Sequence, residues 1–291
     1  MKYRFMKLHG SGFEVKKMGQ VLGVHRSGYY SYQKQEAGPR AKENEQLREW
    51  IRQIWKKSRR LYGSPRITAE LRSQGYSYGE NRVARLMREE GLRSKSRKAF
   101  RVTTKSSGVH PLIKDLVQRQ FETDKPGKIW VSDITYIWTR EGWLYLAAVM
   151  DIFNREIVGW SLQDRLSQEL VLSALNQSLW HHPPEQGMIF HTDRGGEYRG
   201  WKIERLLRLK GSRPSHGRLG DCYDNAVAES FFSTIKSELI YLESFATKAE
   251  AYLKIFDFIE IYYNRERRHS ALNYQTPIEY ANAAIQPYLG V

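Results

Sequence analysis

Three carboxylates stand where a side chain of that kind needs a reason. Asp133 falls inside the run IWVSDITYIW (129–138), β-branched and aromatic on both sides, although Asp is depleted in strand interiors. Asp193 follows the short apolar run Met188-Ile189-Phe190-His191, inside HTDRGGEY (191–198), with the pair Gly195-Gly196 just beyond it. Glu229 lies one turn into a helix read within GDCYDNAVAESFFSTIKSE (220–238). On that helix Ala228, Phe232, Ile235 and Leu239 form an apolar stripe, and Asn225, Glu229, Ser233 and Lys236 an adjacent polar row. A stripe docked on a sheet whose neighbouring strands carry Asp133 and Asp193 would let all three carboxylates converge.

Converging carboxylates repel one another unless a cation lies among them. Oxygen-only donors select hard divalent ions, Mg²⁺ or Mn²⁺. Two such ions roughly 3.5–4 Å apart activate a nucleophile and stabilise the leaving oxygen of an in-line phosphoryl displacement. The sequence offers no thiol pair, P-loop or HExxH to suggest another chemistry. Taken singly, each acid also has a plain reading as a helix cap or a surface ion pair. Asp151 is read as a strand-end salt bridge, and Asp221 and Asp224 as turn and cap residues.

The elements that must hold these acids lie in the second half of the chain. Runs at 129–138, 142–153 and 155–162, separated by turn signals, read as three strands of a meander. A helix from Ser167 to about Trp180 precedes the strand that ends at Asp193. Then come a helix near 198–210, a short strand near 212–215, and the helix of Glu229, from about Asn225 to Ile240. Strands that first pair as hairpins and then alternate with helices predict an α/β fold, a mixed sheet covered by helices. A further helix spans about 247–263, followed by the basic run Arg265, Arg267, Arg268, His269, which either holds DNA phosphates or closes the domain against its sheet. Thr276-Pro277-Ile278-Glu279 reads as a capping box opening a last helix.

The first half has a different texture. Residues 1–120 carry 28 Lys+Arg against 10 Asp+Glu, the remainder 19 against 22, within a total of +15. A basic half joined to a near-neutral one suggests a polyanion-binding module attached to something else. FEVKKMGQVLGVHRSGYYSY (13–32) has the outline of a helix-turn-helix, with a turn at Leu22-Gly23-Val24, Ser27 as a cap, and Tyr29-Tyr30 as a packing pair. A helix from about Lys42 to Arg59 leads to a second hairpin, SPRITAELRSQGYSYGENRVARLMREEG (64–91). In its second helix Val83, Leu86 and Met87 share one face, and Asn81, Arg82, Arg85 and Arg88 lie broadly opposite. A basic face opposite an apolar one suits a helix in a DNA major groove; it also suits an ordinary solvated helix. Three units follow: a helical DNA-binding region over 1–92, a basic linker over 93–120, and a catalytic domain over 121–291. No stretch approaches a membrane span, the N-terminus lacks a signal-peptide pattern, and the lone Cys222 fits a reducing cytosol.

WVSDITYI, HTDRGGEY, DNAVAESFFSTIK and YYNRERRHSALNYQTPIEY (262–280) closely resemble the second-frame transposases of insertion-sequence family three, over almost the whole chain. The resemblance implies a catalytic core of ribonuclease-H-like fold, similar to that of retroviral integrases. It implies that Asp133, Asp193 and Glu229 are the metal-binding DDE triad, with the family's spacing of 35 residues between Asp193 and Glu229. It implies that Lys236 contacts the transposon end. Arg82, Arg85, Arg88 and Asn225 are added as DNA-binding candidates. Glu197, Gly217 and Asp221 depart from the family's more usual residues. The function so implied is binding of insertion-sequence ends, metal-dependent strand cleavage and strand transfer in the bacterial cytoplasm, on the nucleoid. Its partners are double-stranded DNA, at least a second copy of the chain on synapsis, and an upstream reading-frame product. A hydrolysis-only nuclease and a catalytically silent DNA-binding regulator are the rival readings.

Overall fold

The computed structural model describes residues 1–34, 38–96, 115–117, 123–193, 195–217 and 226–289. Strands β1 (Ile129–Thr139), β2 (Gly142–Asp151) and β3 (Ile157–Gln163) form the expected antiparallel meander. After α7 (Gln168–His181) the chain returns as β4 (Ile189–Thr192), parallel to β1. After α8 (Trp201–Leu209) it adds β5 (Arg213–His216), parallel to β4. The sheet order is β3-β2-β1-β4-β5. A mixed sheet results, because only the short hairpin turns permit antiparallel pairing and each helical crossover enforces a parallel one.

Alternation along the strands divides the core. Trp130, Val149 and Phe190 face α7 and α8, packing with Leu170, Leu175 and Leu207. Val131, Ile137 and Leu146 face the other side and meet α9 (Ala226–Ile235), α10 (Lys248–Phe256) and a π-helical segment, Asp257–Glu266. A bulge at Val158, where the register steps from Val149–Gly159 to Met150–Ile157, turns Gly159 against α7. A Cβ there would meet the Ala174 carbonyl at 2.5 Å, so only glycine lets strand and helix approach this closely.

Among the described residues, the regular elements of the first half are all helices. Around Met6, Met18 and Tyr29 pack α1 (Lys2–Leu8), α2 (Val15–Leu22) and α3 (Arg26–Lys34). The expected turn is present, with Gly23 at φ 62° closing α2. Ser27 is not the cap: α3 already begins at Arg26. Tyr29 is buried, whereas Tyr30 is exposed. The second hairpin, α5 (Ser64–Ser73) and α6 (Glu80–Glu89), packs with the preceding α4 (Pro39–Lys57) around Leu47, Ile51, Ile67, Leu71 and Leu86.

The α4–α6 unit is docked on the C-terminal part of the chain. Leu61 enters the core beneath α9 and α10. The Tyr62 hydroxyl donates to the Glu266 carbonyl and accepts the Arg268 N–H, each at 2.9 Å. Arg59 pairs with Asp257, and Arg268 with Glu70. The basic run at 265–269 is thereby resolved. Arg267 and Arg268 are buried and hold protein carboxylates, closing the domain against the helical unit rather than against its own sheet. Thr276 and Glu279 form both halves of the expected capping box before α11 (Pro277–Leu289).

Candidate active site

The β1–β4 register places two of the three acids. Its last pair is Ser132 with Thr192, so Asp133 and Asp193 are the next residues on neighbouring parallel strands. Asp133 is half-buried, and its carboxylate accepts the Ile134 N–H at 2.7 Å. Burial, then the charges of Asp193 and Glu229, push its pKa up to about 7, against the Ile134 N–H and the Lys236 ammonium. Asp193 accepts the Gly195 N–H at 2.9 Å. Its carboxyl is also raised, by protein packed around it and by Glu197, against Gly195 and Arg199, while the residue keeps access to solvent.

Gly195 adopts an ordinary negative φ of −55°. Its lack of a side chain matters for another reason. A Cβ would stand 3.0 Å from the Asp193 carboxylate and 2.9 Å from that of Glu197. Gly196 has no such neighbour. The first glycine therefore clears space for Asp193 itself.

Tyr198, at the end of the 3₁₀ turn Gly196–Tyr198, is buried and shares a hydrogen bond with the Ser132 hydroxyl at 3.1 Å. It thus ties the turn after Asp193 to the residue before Asp133. Burial, then the Asp133 charge, raises its phenol well above the ordinary value. Sequence reasoning passed over it, though its aromatic ring sits inside HTDRGGEY.

Ala228, Phe232 and Ile235 of α9, and Leu239 just beyond its end, are buried as the stripe required, joined by Val227 and Phe231. Glu229 is exposed on this helix, and Asp133 feels its charge. The three acids share one electrostatic neighbourhood. They are not drawn into a ligating cluster: among the described residues, no three His, Cys, Asp or Glu side chains are grouped tightly enough to hold a metal ion.

The helix changes pitch at Lys236, the first residue of a π-helical segment, Lys236–Ile240. Such wide turns are rare and concentrate at functional sites. The half-buried Lys236 ammonium lies 5.8 Å from the centre of the Tyr136 ring, within cation–π range. Burial lowers its pKa, opposed by Asp133. Glu238 is not its partner. That buried carboxylate is taken by Arg267 and by Arg66 of α5.

Among the described residues Asp151 forms no salt bridge. It is buried and accepts the Gly127 and Phe153 N–H groups and the Trp130 indole N–H; burial raises its pKa despite them. In α6, Arg82 is tied to Glu43 and Asn44 of α4 and lies over the Tyr78 ring. Arg85 pairs with Glu89 one turn on. Arg88 is exposed, with no carboxylate in ion-pair range among the described residues. The basic face expected of α6 is therefore partly spent within the protein. Asn225, Asp221 and Asp224 lie outside the described residues.

A mixed sheet in this order, helices on both faces, and one acid within β1 beside another at the end of β4, defines an integrase-type core behind a helix-turn-helix unit. Family models agree: an HTH-like domain matches residues 42–100, and integrase core domains match 123–222 and 210–277. The chain is 38% identical over 287 residues to transposase InsF for insertion sequence IS3A of Escherichia coli K12, covering 97% of this chain and 99% of the relative. It is 39% identical over 260 residues to an uncharacterised 31 kDa protein of insertion element IS600 from Shigella sonnei, covering 89% and 96%. A simian T-cell lymphotropic virus intasome structure is similar over 76% of this chain and 70% of that one, at 13% identity and TM-score 0.47. The chain belongs to the IS3-family transposases.

Proposed function

We propose that this transposase binds the ends of its insertion sequence, cleaves one strand there in a metal-dependent reaction, and transfers the freed 3′ end to target DNA. The observation that carries the reading is the β1–β4 register, which sets Asp133 beside Asp193 with the charges of Glu229 and Lys236 reaching Asp133. Asp133, Asp193 and Glu229 would hold Mg²⁺ or Mn²⁺, two ions per site. The donor set fits, being all oxygen, with an Asp133 carboxyl whose raised pKa reports uncompensated negative charge and burial. When bound, the ions would activate the attacking oxygen and stabilise the leaving one.

The chain's own groups do the rest. Asp133 must give up its proton to act as a ligand. Tyr198 and Ser132 hold the two strand ends at fixed separation, and Gly195 leaves room for the Asp193 carboxylate. Lys236 neutralises a phosphate beside the scissile bond. The helical half binds the end sequence, with Arg85, Arg88 and Arg82 as contact candidates, and Asn225, just before α9, is a further candidate from the other half. Water is the nucleophile in cleavage and the new 3′-hydroxyl in transfer. Two ends must be brought together, so the working form is a dimer or larger, acting on double-stranded DNA on the bacterial nucleoid, alone or with an upstream-frame product. No helix among the described residues is long and apolar enough to cross a membrane.

The test is incubation of the protein with labelled end DNA and Mg²⁺ or Mn²⁺. Nicked and joined products are expected from the wild type. Asp133→Asn, Asp193→Asn and Glu229→Gln should abolish both while end binding persists. Undiminished products from any one variant would remove that residue from the site. Nicking without joining would reduce the protein to a nuclease, and binding with no cleavage to a regulator.

A further inference from the structure

Beyond Ser132, β1 loses β4 as a neighbour, and the strand runs on past the acids until Thr139 bridges Phe245. On this stretch and its hairpin partner three aromatic residues are exposed: Tyr136 at 54%, Trp138 at 57% and Trp143 at 46%. Trp138 faces Trp143 directly across the hairpin, and Tyr136 sits diagonally from it. Their ring centres lie 4.9 and 5.3 Å from that of Trp143, at interplanar angles of 67° and 83°. Edge-to-face contacts of this kind hold the rings together without covering every face. Burying these rings in the protein would have been favourable, so a contiguous exposed group calls for an occupant.

The surroundings identify the occupant's chemistry. Tyr136 is three residues along β1 from Asp133, about 10 Å away in an extended strand. The two side chains project from opposite faces of the sheet, so it is Lys236 that links them. Between them reaches Lys236, its ammonium over the Tyr136 ring and its charge felt by Asp133. Arg140, also exposed, follows at the hairpin tip. A cation bordering π faces, next to acids that handle phosphodiesters, matches one ligand: a nucleotide whose base is unpaired. Phosphate goes to the cation and the base stacks on the rings. A protein partner would gain from the rings but would leave the Lys236 charge beside them unused.

We propose that Tyr136, Trp138 and Trp143 form a stacking platform that captures an unpaired base next to the scissile phosphate, so that this transposase acts on an end whose duplex is opened at the cut. The inference rests on the proposed cleavage function for its place in the reaction, but base capture can be measured without any cleavage. Stacking is tolerant of base identity, so the platform would open and hold the end without reading its sequence.

The experiment uses the full chain, oligothymidylate, and end duplexes carrying 2-aminopurine beside the cut. Wild type should bind oligothymidylate and change the 2-aminopurine emission on binding the duplex end. The double variant Trp138→Ala/Trp143→Ala should bind oligothymidylate roughly 5- to 100-fold more weakly, the range expected for loss of stacked bases. It should lose the emission change, keep its affinity for the fully paired end, and cleave a pre-mismatched end better than a paired one. Trp138→Phe/Trp143→Phe should retain most of both signals, which separates stacking from misfolding. Unchanged oligothymidylate binding and emission in the Ala variant would overturn the platform. So would a shift of that variant from dimer to monomer with nucleotide responses intact, which would make the face a contact between copies. If wild type captures the base but never cleaves, the cleavage reading fails and the platform stands.

Discussion

Arg267 grips Glu238 as a fork, Nε to Oε2 and Nη2 to Oε1, both at 2.8 Å and both within the protein interior. Arg66 of the helical unit adds a third contact, 3.1 Å from Oε1. Burial pushes the Glu238 carboxyl up, yet the bonds and charges of Arg267 and Arg66 outweigh it and leave the pKa below the ordinary value.

Glu238→Ala should therefore destabilise the protein by about 3–5 kcal/mol, since Arg267 would keep a buried charge with no counterpart. The sign with pH follows from the depressed pKa. The stabilisation is present above the unfolded carboxyl's value of about 4.5 and is lost as pH falls toward the folded value. Denaturant melts of wild type and variant should converge in acid. A gap that persists there would mean the Glu238 charge is not what stabilises the junction.

Asp133 predicts the opposite trend. Its folded pKa is raised from 3.8 to about 7, so in metal-free protein its contribution to stability declines as pH rises through that window. Metal binding must displace the proton below about pH 7. Thermal stabilisation by MgCl₂ should therefore be larger at pH 8 than at pH 6, and Asp133→Asn should erase the difference. Equal stabilisation at both pH values in wild type would separate Asp133 from the metal.

The arginines of α6 should divide. Arg88→Ala and Arg85→Ala should each flatten the salt dependence of end binding by roughly one unit of logarithmic slope, if each meets a phosphate. Arg82 is committed to Glu43 and Asn44, so Arg82→Ala should chiefly lower the melting temperature of the helical unit. Anisotropy titrations across salt concentrations check the first claim. A flat response for both Arg88 and Arg85 would leave recognition to α1–α3.

Lys236→Ala should reduce cleavage, and Lys236→Arg should recover part of it, because a phosphate contact by lysine depends mainly on positive charge. Crosslinking from position 236 should mark the nucleotide beside the cut. Wild-type cleavage by the Ala variant, with no crosslink, would return Lys236 to a merely structural contact with Tyr136.

The sheet was legible in the sequence because its signals are local: β-branched and aromatic runs at 129–163 are separated by tight turn signals, and Asp133 interrupts one of them. Glu229 was legible through the apolar stripe beside it. Two kinds of feature were not. The change to π-helix at Lys236 leaves no trace in a stripe that an α-helix would satisfy equally well. The partners of Arg267, Arg268 and Asp151 were hidden because pairing across the fold obeys no periodicity. Glu70 is 198 residues from Arg268, and Arg66 is 172 from Glu238. Read along the chain, the run was open to a DNA contact or to closing the domain, and the structure matches the charges of Arg267 and Arg268 inside.

The docking of α4–α6 onto the segment that carries Glu238 makes the protein a caliper. Under the proposed function its two jaws would be α6 and the acids, and the span between them would be set by packed protein, not by chain slack. Each base pair inserted between the recognised sequence and the cut turns the duplex by roughly a tenth of a turn. For an end held on α6, a single inserted pair would swing the scissile phosphate away from Asp133 and Asp193. On that proposal the length of a terminal repeat and the shape of this junction would have to change together, which would tie the transposase to its own element by measure as well as by sequence.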